Sequence, residues 1–175
     1  MNKGINHKVL VIDDNDSFLE TLLIFLKNNG FQALGAKNGQ LGLQLAKEQM
    51  PDLIICDINM SGFDGYDVLR RLRQDSITQN IPLIFLTIEQ ANRDRYHALE
   101  LGANDYLDKF CGTEEIVKAI KTQLEIKNRN ISTEEIANKI DNKIDVDGLN
   151  PEISSPEAMR FIDWRDEWEQ KGREG

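Results

Sequence analysis

Between Lys8 and Lys127, short apolar runs alternate with segments whose apolar residues recur three and four positions apart. The runs Lys8–Ile12, Phe31–Ala36, Leu53–Cys56, Ile81–Thr87 and Tyr106–Asp108 read as strands, being short, rich in branched side chains and bounded by Gly, Pro, Asn or Asp. The intervening segments read as amphipathic helices. Ser17–Asn28 carries Phe18, Leu19, Leu22, Leu23, Phe25 and Leu26 on one side and is stopped by Asn29-Gly30. A helix capped by Asn38 has a stripe of Leu41, Leu45 and Ala46 and ends at Met50-Pro51. Tyr66–Gln74 turns Val68, Leu69 and Leu72 inward, Asn92–Leu101 stops at Gly102, and Thr113–Lys127 aligns Ile116, Val117, Ile120 and Leu124. Strand and helix thus alternate five times. Strands apolar on both faces belong to a covered parallel sheet, so the pattern predicts a doubly wound α/β domain over residues 7–127.

The polar residues at the ends of these strands carry the chemistry. Asp57 follows the run Leu53-Ile54-Ile55-Cys56, and Asp13-Asp14 follow Val9-Leu10-Val11-Ile12. In open α/β sheets ligands sit beyond the carboxyl ends of the strands, where the strand order reverses. If strands one and three are neighbours, three carboxylates share one pocket and require a cation. Thr87 and Lys109 close strands four and five and add a hydroxyl and an ammonium. Two acids for Mg²⁺, one acid as nucleophile, and two groups to grip a phosphoryl unit outline a phosphoryl-transfer site. A lone Asp at a strand end is more often a cap or turn former, and Asp13-Asp14 are also placed to cap the first helix. It is the set, in order, that argues for chemistry.

Composition narrows the partners. The chain has 175 residues, is 40% hydrophobic and 29% charged, and carries a formal charge of −9. That balance fits a globular protein and disfavours a nucleic-acid or anionic-membrane surface. No window approaches the roughly 18 apolar residues of a membrane span, and residues 1–7 lack the apolar core of a signal peptide, so the expected location is cytoplasmic. Cys56 and Cys111 form no disulfide or metal-site spacing and read as free thiols. No GxxxxGK[ST] loop is present, which disfavours a nucleotide switch.

Residues 128–175 differ in composition, with twelve acids against seven bases, a net of −5. We read them as an acidic, partly disordered extension with one or two short helices. Ile131-Ser132-Thr133-Glu134-Glu135-Ile136 has the form of a capping box, Ser132 to Glu135, inside a hydrophobic staple. Ser155-Pro156 opens a second candidate helix carrying Phe161, Trp164 and Trp168 on one side. Two readings stay open: a solvated extension, or a docking helix for its own domain or a partner, since three aromatics are costly to leave in water.

The stretches Val11-Ile12-Asp13-Asp14, Cys56-Asp57 through Asp64-Gly65, Leu86-Thr87 and Leu101-Gly102 through Asp108-Lys109 together resemble the receiver domain of two-component response regulators, in its CheY-like single-domain form with a C-terminal extension. The resemblance implies a sheet in the order 2-1-3-4-5. It also implies that Asp57 accepts a phosphoryl group from a sensor histidine kinase or phosphotransfer protein. Mg²⁺ is the implied cofactor, held directly by Asp14, through water by Asp13, and by Asp57 and the backbone carbonyl of Asn59. Lys109 then pairs with Asp57 and later with the phosphate, while Thr87 and Tyr106 form the switch that reports loading to the surface of about residues 92–127, where a downstream protein binds. Asn59, Ile88 and Glu89 tune the lifetime of the acyl phosphate: Asn59 and Glu89 can position water, and the branched Ile88 can screen it. Two positions depart from the family. Phe110 stands where a proline normally follows the lysine through a cis bond; a cis bond before another residue costs about 2.5–4 kcal/mol, so a trans bond and a different aim for Lys109 are expected. Ser61 replaces a proline, which predicts a less stiff loop.

The leading expectation is a phosphoacceptor switch acting by protein contact, a monomer or homodimer without direct DNA binding, and not an enzyme beyond its own phosphorylation and dephosphorylation. One alternative is a receiver-like interaction module that is not phosphorylated. The other is an aspartate-nucleophile phosphatase of the haloacid dehalogenase type, disfavoured because Asn59 stands where that family needs a second acid.

Overall fold

The computed structural model describes residues 7–88 and 92–141. Strands β1 (Lys8–Ile12), β2 (Gln32–Ala36), β3 (Leu53–Cys56), β4 (Leu83–Thr87) and β5 (Asp105–Asp108) alternate with helices α1 (Asp16–Asn28), α2 (Gly39–Gln49), α3 (Gly65–Gln74), α4 (Asn92–Glu100) and α5 (Thr113–Asp141). All strand pairs are parallel and the order is β2-β1-β3-β4-β5. The chain divides after Ser132 into two units, and the sheet, α1 to α4 and α5 as far as Ser132 belong to the first.

The central strands are apolar on both faces because both faces are covered. Val9 to Ile12, Leu53 to Cys56 and Leu83 to Leu86 are each no more than 2% exposed. On one face Val9, Val11, Ile55, Ile84 and Leu86 pack with Leu19, Leu22 and Leu26 of α1 and Ile116, Ile120 and Leu124 of α5. On the other, Leu10, Ile12, Ile54 and Phe85 pack with Ala46 of α2, Val68, Leu69 and Leu72 of α3 and Ala98 of α4. At about 1.5–3 kcal/mol per fully buried large apolar side chain, these layers supply the main force for folding.

Local signals fix where the helices begin and end. Asn15, Asn38 and Asp64 cap α1, α2 and α3 by accepting from the backbone N–H of Phe18, Leu41 and Asp67. Gly30 and Gly102 adopt positive φ just past α1 and α4, where a left-handed residue lets the chain turn back into the next strand.

Two elements differ from the sequence reading. The stripe expected for α2 was Leu41, Leu45 and Ala46, yet Leu41 is exposed and the buried positions are Gly39, Gly42 and Ala46. A Cβ on Gly42 would overlap the Ile12 side chain, so α2 lies too close to β1 for larger residues at its contact line. The break expected after Lys127 is not there. The last helix runs on to Asp141, with Ser132 and Glu135 inside it rather than at a cap. No Gly or Pro interrupts residues 113–141, and the donors a cap would satisfy are already bonded within the helix. Phe161, Trp164 and Trp168 lie outside the described residues, as does Glu89.

Candidate functional site

The site is built by three residues that each stand one position past a strand and are still bonded to the neighbouring strand. Asp13 donates its backbone N–H to Ala36 O (3.0 Å), Asp57 to Ile12 O (2.9 Å) and Lys109 to Thr87 O (2.8 Å). Because β1 and β3 are paired, with Ile12 opposite Cys56, the two aspartates emerge side by side. Lys109 reaches them from the far end of β5. Its Nζ lies 2.7 Å from Asp57 Oδ2 and 2.7 Å from Asp13 Oδ2. The three side chains are nearly out of solvent, at 10% exposure for Lys109, 6% for Asp57 and 2% for Asp13.

Asp14 forms the open side of the pocket. It is exposed, and its Oδ2 accepts from the N–H (3.0 Å) and the hydroxyl (3.2 Å) of Ser61. Ser61 therefore tethers its loop to Asp14, so the loop expected to be less stiff gains two bonds that a proline could not donate. Gly65 supports the same corner. A Cβ there would overlap the backbone of Asp57 and Ile58, so only glycine lets α3 begin directly beneath the end of β3.

One ammonium among three carboxylates leaves the pocket short of positive charge. Burial, with the Asp57 charge adding to it, pushes the Asp13 carboxyl up, although Lys109 and the Asn15 N–H oppose this. Burial pulls the Lys109 ammonium down, but its bonds to Asp13 and Asp57 outweigh that and hold it above its ordinary range. Oxygens of Asp13, Asp14 and Asp57 lie within 4.8 Å of one another. This is an all-oxygen, anionic donor set that suits a hard divalent cation such as Mg²⁺.

The remaining expected site residues fall around this centre. Thr87 is fully buried at the end of β4. Tyr106, opposite Phe85 in the β4–β5 register, is 7% exposed and packs in the core. Asn59 is exposed, and its N–H donates to Asp57 Oδ1 at 3.3 Å. Ile88 is 56% exposed. Among the described residues no peptide bond is cis, so Lys109–Phe110 is trans as expected. The different aim expected of Lys109 is not found. Its N–H is fixed on Thr87 O, and Asp108 accepts from the N–H groups of Phe110 (2.8 Å) and Cys111 (2.9 Å), shaping a turn that points the lysine inward.

This arrangement matches known proteins along most of its length. The family model of the response regulator receiver domain matches residues 9–121. The chain is a response regulator receiver domain. As a family, receiver domains serve two-component signalling, with phosphorylation and Mg²⁺ binding as general properties. The receiver is 34% identical over 117 residues to Protein PilH of Pseudomonas aeruginosa, covering 67% of this chain and 97% of PilH. It is 35% identical over 125 residues to the alkaline phosphatase synthesis transcriptional regulatory protein PhoP of Bacillus subtilis, covering 70% of this chain but 51% of PhoP. It thus spans about half the length of PhoP and of the PhoB regulators it also matches. Among solved structures, the receiver superposes on a response regulator receiver domain protein from Clostridium thermocellum with a TM-score of 0.65 and 29% identity, covering 70% of this chain and 97% of that one. With the chemotaxis protein CheY4 of Vibrio cholerae the TM-score is 0.63 at 27% identity, covering 66% and 97%. Among the described residues, no helix of the receiver is long and apolar enough to cross a membrane.

Sequence reasoning missed two contributors. Phe18 was read only as part of the apolar stripe of α1, yet Lys109 Nζ lies over its ring, 4.6 Å from the centroid. Gly65 was read as loop punctuation. Neither role has a signature in the linear pattern, because both depend on which elements meet at the pocket.

Proposed function

We propose that this receiver is a phosphoacceptor switch loaded on Asp57 by a sensor histidine kinase or phosphotransfer protein. The observation that carries the reading is the Lys109 ammonium, 2.7 Å from Asp57 Oδ2 and shared with the nearly buried Asp13. An Asp57 oxygen attacks phosphorus, the P–N bond to the donor histidine breaks, and the imidazole leaves with the electron pair and takes a proton from solvent. Lys109 holds the carboxylate in position before transfer, then faces the phosphoryl oxygens afterwards. Asp13, Asp14, Asp57 and the carbonyl of Asn59 would hold Mg²⁺, which would supply positive charge to the oxygens of the incoming group.

In this reading Thr87 turns its hydroxyl toward the new phosphoryl group, and Tyr106 moves into the space it leaves. The surface of about residues 92–127 then presents a changed face to a downstream protein. Asn59, Ile88 and Glu89 set how long the acyl phosphate lasts. Residues 7–127 form the switch, and 128–175 an acidic extension in which Phe161, Trp164 and Trp168 are available for docking. The charge of −9 argues for a protein target rather than direct DNA contact, for a chain that works in the cytoplasm as a monomer or homodimer.

The test is intact mass after incubation with Mg²⁺ and a small acyl phosphodonor. The expected result is gain of one phosphoryl group, lost without Mg²⁺ and lost in Asp57→Asn. Labelling that persists in Asp57→Asn would overturn the assignment.

A further inference from the structure

A closed circuit of contacts joins Phe18 to the acid pocket. Asp13 Oδ1 accepts from the Asn15 N–H at 2.9 Å, and Asn15 Oδ1 accepts from the Phe18 N–H at 3.0 Å. The Phe18 ring lies under Lys109 Nζ at 4.6 Å from its centroid, and Nζ returns to Asp13 Oδ2 at 2.7 Å. The backbone that starts α1 thus places an aromatic face against the one ammonium of the pocket. Phe18 is half-buried and also packs against the core layer that includes residues of α1 and α5.

We infer that Phe18 is a positioning residue, keeping the Lys109 ammonium at Asp57 while phosphoryl transfer takes place. This rests on the phosphoacceptor reading of Asp57 given above. The reason lies in what each partner of the lysine can do during that event. Asp13 holds Lys109 in the unloaded pocket, but the same carboxylate belongs to the oxygen cluster suited to a divalent cation. A cation in that cluster would draw on Asp13, through water as the resemblance implies, and would repel the lysine. The ring face attracts the ammonium through its quadrupole, carries no charge for the cation to capture, and sheds little hydration when the lysine settles on it. Phe18 is therefore the contact of Lys109 for which a cation in the pocket would not compete.

The test separates the ring from its bulk. Phe18→Leu keeps an apolar side chain on α1 and, because the cap uses the backbone N–H of residue 18, keeps the helix start. Phe18→Tyr restores an aromatic face. Loading from acetyl phosphate with Mg²⁺, followed by intact mass on the full chain, should slow roughly five- to tenfold in Phe18→Leu and return to within about twofold of the parent in Phe18→Tyr. Thermal midpoints are measured beside the rates to show that each variant is folded. A second readout needs no turnover. In the unloaded protein the protons on the Lys109 ε-carbon should resonate upfield of ordinary lysine positions through the ring current, in the parent and Phe18→Tyr and not in Phe18→Leu. Normal loading by Phe18→Leu, equal slowing in both folded variants, or ordinary Lys109 shifts in the parent would each overturn the role of the ring. Failure of the parent itself to load would instead remove the phosphoacceptor reading, and this role with it.

Discussion

Lys109 shows how much one side chain can decide. Its ammonium is the only cation in contact with the paired carboxylates of Asp13 and Asp57 among the described residues. Replacing it by Met leaves two buried acids facing each other with no compensation, at a cost on the order of 3 kcal/mol in the absence of metal. A divalent cation in the pocket would then meet no competing ammonium and would have more repulsion to relieve. Lys109→Met should melt several degrees below the parent in a chelator and gain more from added Mg²⁺ than the parent does, as followed by differential scanning calorimetry. An equal or smaller Mg²⁺-dependent rise would show that the lysine and the metal do not share the pocket. The lysine itself was legible in the sequence as a strand-end cation. Its aim was not, because that depends on the Thr87 carbonyl and the Asp108 turn rather than on the identity of the residue after it.

The elements are tied together by polar contacts at their ends. Arg73, near the end of α3, donates to the carbonyls of Gln79, Ile81 and Gly102 and to Asn104 Oδ1, so one guanidinium joins α3 to the starts of β4 and β5. Just past α3, Asp75 pairs with Lys47 of α2 and accepts from the Ile77 N–H. The bond from Lys47, with that N–H assisting, holds the Asp75 carboxyl below its ordinary value of 3.8. The sign follows: a depressed carboxylate contributes stability that is present above the unfolded value and is lost as pH falls through the lower folded value. Asp75→Asn keeps an acceptor for Ile77 but loses the charge. The variant should melt slightly below the parent at pH 7, and the gap should close as the buffer is taken below about pH 4. A gap independent of pH would assign the effect of Asp75 to its turn alone. The helix starts were readable from Asn15, Asn38 and Asp64. The packing side of α2 was not, because two glycines mark it by having no side chain.

At the scale of the molecule, the receiver carries the sheet, the pocket and both core layers, all on the N-terminal side of Ser132. A chain shortened to residues 1–132 should therefore keep its thermal midpoint within a few degrees and load Asp57 at the parental rate, by calorimetry and intact mass. A large loss of either would make residues 133–175 part of the switch rather than an extension of it. The alternation of strand and helix, the double-sided burial of the central strands and the acids at their ends were all determined by the sequence alone. Each of these follows from local periodicity and from the rule that buried backbone must be paired. The order 2-1-3-4-5 implied by the resemblance sets β1 beside β3, and tertiary structure decided how closely Asp13 and Asp57 meet there. It also decided that a trans peptide can still send Lys109 between them, that Phe18 lies beneath its ammonium, and that Gly65 clears the space beneath Asp57. These depend on distances between residues far apart in the chain, and no local pattern encodes them until the sheet has formed.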